Sequence, residues 1–473
     1  MVSLTMQWVA AATAGHLAAG APDAAVGRVV TDSRALAPGD FFVALRGARF
    51  DGHTFVADAV SRGASGVVVD AEWAAYGLTP LLDSIGDRPA GVLVVTDTLV
   101  ALQDMARVLR SGVGTRVVAI TGSAGKTTTK ETIATFLAAK HRVVRNKGNL
   151  NNHIGLPLSL MDLREEPDVA VMELGMNHAG EIRTLVGIAD PDVRVWTNVG
   201  DAHLGHFESA DGIADAKAEI LEAAEPRDLL VCNADDTRVM ARVGAFPGRT
   251  VTFGFSQFAK VRAVDVESRG IAGMRARFVT PAGEQVIETG LLGRGNLQNV
   301  LAATAVALEF DVPLARIAEL AADLRPASRR GSVHRLERGV TLIDDSYNSS
   351  PAALRRALEV VRQEPGAFRK IAVLGEMLEL GAHANGLHES CGVEAAGSGL
   401  SALVAVGGPP ARELASAAVR AGMPADAVYY IEESDAAAER MEHLLRAGDL
   451  VLVKGSRGSR TDLVADRIVE AFG

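Results

Sequence analysis

The sequence predicts an α/β protein of three domains whose sheets are mostly parallel and covered by helices. Three observations predict it. The length of 473 residues corresponds to roughly three domains at about 150 residues each. Short β-branched runs alternate with helical stretches along most of the chain, as in parallel sheets wound with helices. Aromatic residues make up only 4% against 48% hydrophobic residues in all, so aliphatic side chains and alanine fill the interior, which suits helices packed on such sheets.

The first segment, residues 1–113, opens on MVSLTMQWVAAATAGHLAAG. It is apolar but lacks a basic leader and is interrupted by Gln7 and His16, so it reads as a short core helix and not a signal peptide. The turn-rich VVTDSRALAPGDFFVALRGARFDGHTF and then AVSRGASGVVVD follow, giving a small N-terminal α/β domain. In the second segment, 114–326, RVVAIT is a strand, GSAGK a loop and TTTKETIATFLAAK a helix. DVAVMEL, VRVWTNV and DLLVCN are further buried strands. Residues 250–290 change character: VRAVDVES and MRARFVT alternate with period two, which predicts antiparallel strands at one edge. In the third segment, 327–473, VTLIDD, KIAVLG, ALVAVGG and DLVLVKG are strands, each followed by a helical stretch. That is a doubly wound, Rossmann-like pattern.

Bulk properties exclude several functions. A net charge of −10 without a long basic run argues against nucleic-acid binding. No run of about 20 apolar residues exists, so membrane insertion is not expected, and a cytoplasmic location is. Cys232 and Cys391 have no ligand-type spacing, which argues against a zinc site or a disulfide framework.

The sharpest motif is Gly122-Ser123-Ala124-Gly125-Lys126-Thr127-Thr128, lying between the predicted strand and helix as a phosphate loop requires. The glycines permit a tight turn that aims amide hydrogens at phosphate oxygens, and the helix N-terminus adds positive potential. Lys126 would reach the terminal phosphates of ATP, and the Thr127 hydroxyl would bind Mg²⁺. Ile120 stands where the longer form of the motif has its first glycine. The second domain thus reads as a P-loop, ATPase-like domain on a parallel sheet.

Further segments carry a family resemblance: NKGNLNNHIGLPLSL (146–160), VMELGMNHAGEI (171–182), TNVGDAHLGHFES (197–209), AKAEI (216–220), GRGNLQNVLAA (293–303), DDSYNSSP (344–351), LGEMLELG (374–381) and VKGSRG (453–458), with DSR (32–34) and DGHTF (51–55) near the start. In this order, and with the phosphate loop, they resemble the Mur ligases, and within them the member that adds D-alanyl-D-alanine to UDP-N-acetylmuramoyl-tripeptide. Ser349-Ser350 and the Gly458 of Ser-Arg-Gly depart from the more usual pattern of that member.

The resemblance implies an ATP-dependent amide-bond ligase of peptidoglycan synthesis. The tripeptide carboxylate would take the γ-phosphoryl group as an acyl phosphate, and the dipeptide amine would attack it. Thr127, Glu173, His203 and Lys217 would hold two Mg²⁺ ions, the second through a carbamylated Lys217; His206 is a weaker candidate. Lys126, Lys217 and His203 would be catalytic. Asn296, Asn299, Arg330, Asp345, Tyr347 and Asn348 would surround ATP. Lys454 and Arg457 would bind a substrate carboxylate or phosphate, and Asp32, Ser33 and Arg34 the UDP group. The partners implied are these two small-molecule substrates, with the chain a monomer.

Overall fold

The computed structural model describes every residue except 1, 48, 87–89, 202, 203, 208, 367 and 368. Three sheets carry the fold. The first holds β1 (His16–Ala19), β2 (Val29–Val30), β3 (Phe41–Val43), β4 (Gly66–Asp70) and β5 (Gly91–Val95), in the order β1-β5-β4-β3-β2. β1 is antiparallel to β5 and the remaining neighbours are parallel. The opening helix is shorter than the apolar run suggested. It spans Met6–Thr13, capped by the Thr5 hydroxyl, and stops at Ala14 in the left-handed conformation. His16–Ala19 then leaves as an edge strand, which alanine-rich composition alone does not disclose.

The second sheet has nine strands: β6 (Arg116–Thr121), β7 (Val143–Arg145), β8 (Val169–Glu173), β9 (Val193–Trp196), β10 (Leu229–Asn233), β11 (Arg249–Gly254), β12 (Val261–Ser268), β13 (Met274–Thr280) and β14 (Gly283–Thr289). Their order is β14-β13-β12-β11-β10-β9-β6-β8-β7. β7 through β12 pair in parallel; β13 and β14 add on antiparallel. β6, β8, β9 and β10 are buried on both faces almost throughout, which explains their continuous apolar runs. β12 alternates because one face is wet.

The third sheet holds β15 (Ser332–Arg335), β16 (Thr341–Asp345), β17 (Lys370–Gly375), β18 (Ala402–Val406), β19 (Val428–Ile431) and β20 (Leu450–Lys454), ordered β15-β16-β20-β17-β18-β19. All pairs are parallel except β15 with β16. The helix Thr98–Gly112 joins the first two cores: its Leu102, Met105 and Leu109 are buried in one cluster with Leu93 of the first sheet and Leu156, Leu160 and Leu185 of the second domain. Arg110 locks it in place by donating to the carbonyls of Ala189 and Asp190. The carboxyl ends of β6, β16, β17 and β20 lead into loops that line one cleft, where open α/β sheets bind ligands.

Candidate functional site

The phosphate loop leaves β6 and enters the helix Lys126–Leu137. Gly122 (φ 151°) and Gly125 (φ 81°) adopt backbone angles that favour glycine. There is also no room for a Cβ: at Gly122 it would strike the Thr197 hydroxyl, and at Gly125 the Asn299 amide. Asn198 braces the loop: its Oδ1 accepts from Ala124 N at 2.9 Å and its carbonyl from Ser123 N at 3.0 Å. The expectation that the loop aims successive amides at phosphate therefore narrows to part of the loop. Those of Ser123 and Ala124 are already used, leaving the first-turn amides of Lys126, Thr127 and Thr128, which have no intrahelical acceptor.

Lys126 folds back to donate to the Gly122 carbonyl at 2.8 Å. Burial lowers its pKa, against the pull of Glu173 and with a push from Arg330. Behind the loop, the Thr127 hydroxyl donates to Glu173 Oε2 at 2.8 Å, and Asn151 Nδ2 donates to Oε1 at 2.9 Å. Asn146 pins the Glu173 backbone at both its N–H and its carbonyl. A buried hydroxyl and carboxylate at this separation are hard oxygen donors that suit Mg²⁺. Lys217 is 1% exposed and has no hydrogen bond or ion pair among the described residues. Burial, and then Lys126, drive its pKa well below the ordinary 10.5. His203 lies outside the described residues. His206 is exposed, its ring 4.8 Å from that of His178.

Across the cleft, Arg330 stacks on Tyr347 at 4.1 Å. Lys454 Nζ donates to Asp345 Oδ2 at 2.7 Å and to the Asn348 carbonyl at 3.0 Å, so its charge is already matched inside the protein. Burial raises the Asp345 pKa even so. Arg457 is exposed and unpaired among the described residues. Asn299 donates to Asn296 Oδ1, and Asn296 to the Leu292 carbonyl. One cleft of about 510 Å³ joins Ser123 to Lys126, Thr128, Asn296, Asn299, Arg330, Asp345, Tyr347, Asn348, Lys454 and Arg457.

Three family models match successive stretches of the chain. The Mur ligase family, catalytic domain, matches residues 26–106; the Mur ligase middle domain, 120–307; and the Mur ligase, glutamate ligase domain, 329–457. The chain belongs to the Mur ligase family. A UDP-N-acetylmuramoyl-tripeptide–D-alanyl-D-alanine ligase of Bacillus subtilis is 32% identical over 94% of this chain and 93% of its own. A crystal structure of MurF from Acinetobacter baumannii superposes with a TM-score of 0.87 at 32% identity, covering 99% of each chain. The MurF ligase of Thermotoga maritima, solved in complex with ADP, gives 0.80 at 28% identity over 94% of this chain and 97% of that one.

In this Mur ligase the DSR segment does not line the cleft. Asp32 caps the turn Ser33–Ala35, accepting from Arg34 N, and pairs with the Arg34 guanidinium at 2.7 Å. Those hydrogen bonds lower the Asp32 pKa to about 2. Arg34 is thus not a free cation awaiting pyrophosphate, though at 89% side-chain exposure it is accessible. Ser33 offers its carbonyl to Arg62. The sequence reading gave no role to Asn146, Asn151 or Asn198, although all three stand in or beside segments that resemble the family; a run of amides signals an organised loop without saying what each one holds. It gave no role to the loop 376–380 either, although LGEMLELG (374–381) is among the segments that carry the resemblance. There His388 Nε2 accepts from Met377 N at 2.9 Å, while its Nδ1 meets the Ala384 carbonyl at 2.7 Å.

Proposed function

We propose that this Mur ligase joins D-alanyl-D-alanine to UDP-N-acetylmuramoyl-tripeptide with consumption of ATP, through an acyl phosphate, in the cytoplasmic stage of peptidoglycan synthesis. The observation that carries this reading is the single cleft in which the phosphate loop faces Arg330 and the ends of β16 and β20. It is supported by relatives carrying that activity in their names at about a third identity over nearly the whole chain.

The amides of Lys126–Thr128 and the Lys126 ammonium would bind the β- and γ-phosphates. Contact with the nucleotide would exchange the Gly122 carbonyl for a phosphate oxygen as the acceptor of Lys126. Thr127 and Glu173 would hold Mg²⁺, which neutralises charge on the phosphate oxygens when bound. Burial lowers the Lys217 pKa and so favours the unprotonated amine that carbamylation by CO₂ requires; its carbamate would serve a second ion with His203. Arg330 and Tyr347 would frame the nucleotide, with Asn296 and Asn299 bracing the loop beneath it. Arg457, unpaired among the described residues, is better placed than Lys454 to take a substrate carboxylate. Asp32, Ser33 and Arg34 would meet the uridine nucleotide from the first domain. We place the domain limits at 113/114 and 326/327. The residues named here all belong to one chain, consistent with a monomer.

Phosphate release is the test. It should require ATP, Mg²⁺, the UDP-linked tripeptide and the dipeptide together. Turnover with a single amino acid in place of the dipeptide would refute the assignment.

A further inference from the structure

β17 and β20 are parallel neighbours, with Leu374 beside Lys454. The loops that follow them therefore lie side by side at the carboxyl edge of the third sheet. The loop after β17 is held at three successive residues by three different elements. Met377 N donates to His388 at 2.9 Å, Leu378 N donates to Ser456 Oγ at 3.0 Å, and the Glu379 carbonyl accepts from Gly205 N at 2.8 Å. Glu379 itself sits at φ 63°, a left-handed conformation that a non-glycine residue holds only when its surroundings impose it.

Between these fixed points the Leu378 side chain stays 42% exposed and lines the cleft. A Cβ built on Gly458 would lie 2.6 Å from Leu378 Cδ1; the isobutyl group rests on the bare backbone of Gly458. Arg457, the neighbour of Gly458 in the same turn, projects into the same cleft without a partner among the described residues. An apolar side chain on a firmly held backbone, beside a guanidinium unpaired among the described residues, matches one end of a short peptide: a terminal carboxylate with a small apolar side chain on the same residue.

We propose that Leu378, seated on Gly458, is the wall that limits the size of the C-terminal side chain of the acceptor dipeptide, whose carboxylate Arg457 takes. This rests on the ligase reading above and adds a residue-level basis for its selectivity. The seating makes a distinctive prediction. A methyl group added at Gly458 cannot pass through Leu378, but it can push that flexible side chain into the cleft. Narrowing the pocket and widening it are thus separate experiments at two adjoining residues.

The test is ATP-dependent phosphate release with the UDP-linked tripeptide and three acceptors: D-alanyl-D-alanine, D-alanyl-D-valine and D-alanyl-D-leucine. The wild type should prefer the first. Leu378→Ala should lower the preference over D-alanyl-D-leucine about tenfold or more, the usual scale for steric choice in an apolar pocket. Gly458→Ala should raise KM for D-alanyl-D-alanine severalfold without changing KM for ATP, and adding Leu378→Ala to it should restore that KM. A preference unchanged within twofold in Leu378→Ala, or a shift in KM for ATP alone, would overturn the proposal while leaving the ligase reading intact. A wild type that turns over none of the acceptors would overturn the ligase reading itself, and the proposal with it.

Discussion

At the scale of single residues, two lysines in this site are buried, and burial works against the charge of each. Lys126 has one hydrogen-bond acceptor, a carbonyl of its own loop, and burial works against its ionised form. A cation held so sparingly contributes little to folding and is available to phosphate. Lys126→Ala should therefore lower kcat about 10²–10³-fold, the scale for removing one fixed donor from a charge-stabilising site. Its melting temperature should be unchanged or slightly raised, because a poorly compensated buried charge has gone; steady-state kinetics and calorimetry check both. Lys217 has no anion beside it, and its folded pKa is depressed. The unfolded chain thus binds the proton more readily, so the unmodified side chain costs stability that grows as pH falls below its ordinary value. The carbamylation proposed above would remove the amine whose protonation carries that cost. With ¹³C-labelled bicarbonate, NMR should show one carbamate resonance that vanishes in Lys217→Ala, with at least a hundredfold loss of turnover; an unchanged resonance would assign the modification elsewhere.

At the scale of elements, the loop 376–380 is organised by a histidine outside it. The Ala384 carbonyl can only accept and the Met377 amide can only donate, so His388 is the neutral Nδ1–H tautomer. Burial lowers its pKa below the ordinary 6.5. For a depressed folded pKa the stabilisation is present above the unfolded value and is lost as pH falls through the folded one. Hydrogen exchange at the Met377 amide, taken relative to its intrinsic rate, should accordingly be slowed at pH 8 and freed in acid. His388→Ala should free it at both, by about tenfold or more, since a buried amide left without its acceptor costs about 1–3 kcal/mol. Sequence alone disclosed the elements better than these supports. RVVAIT, DLLVCN and KIAVLG were legible because strands buried on both faces leave unbroken apolar runs. β15 (SVHR) and β19 (VYYI), half-exposed edge strands of four residues, are too short and too mixed to stand out. The phosphate loop was legible as a local motif. The pairing of Lys454 with Asp345, 109 positions apart, depends on two strands becoming neighbours, which no local pattern records.

At the scale of the whole molecule, the cleft exists only because the second and third domains meet; Leu292 and Ile271 pack against the third-domain core, and among the described residues the polar contacts between the two domains are few. Gly205 N donates to the Glu379 carbonyl, Ile271 N donates to Glu364 Oε2 at 2.5 Å, and Arg355 approaches Asp201 at 4.0 Å. Interfaces between domains of one chain permit hinge motion. The contact at Gly205 is also the most intolerant of added bulk. A Cβ there would lie 2.9 Å from both the Glu379 carbonyl oxygen and Gly381 N, which are backbone atoms that a rotamer change cannot move aside. Gly205→Val should hold the third domain away from the second without touching the core of either. The expected result is a larger radius of gyration in solution scattering with substrates present, together with a fall in kcat of about tenfold or more as the reacting groups lose their alignment. The domain melting temperatures should stay where they were. A variant that matched the wild type in both scattering and kcat would show that closure at this rim does not limit the reaction, and would move the search for the closing contact to Glu364 on the opposite side of the interface.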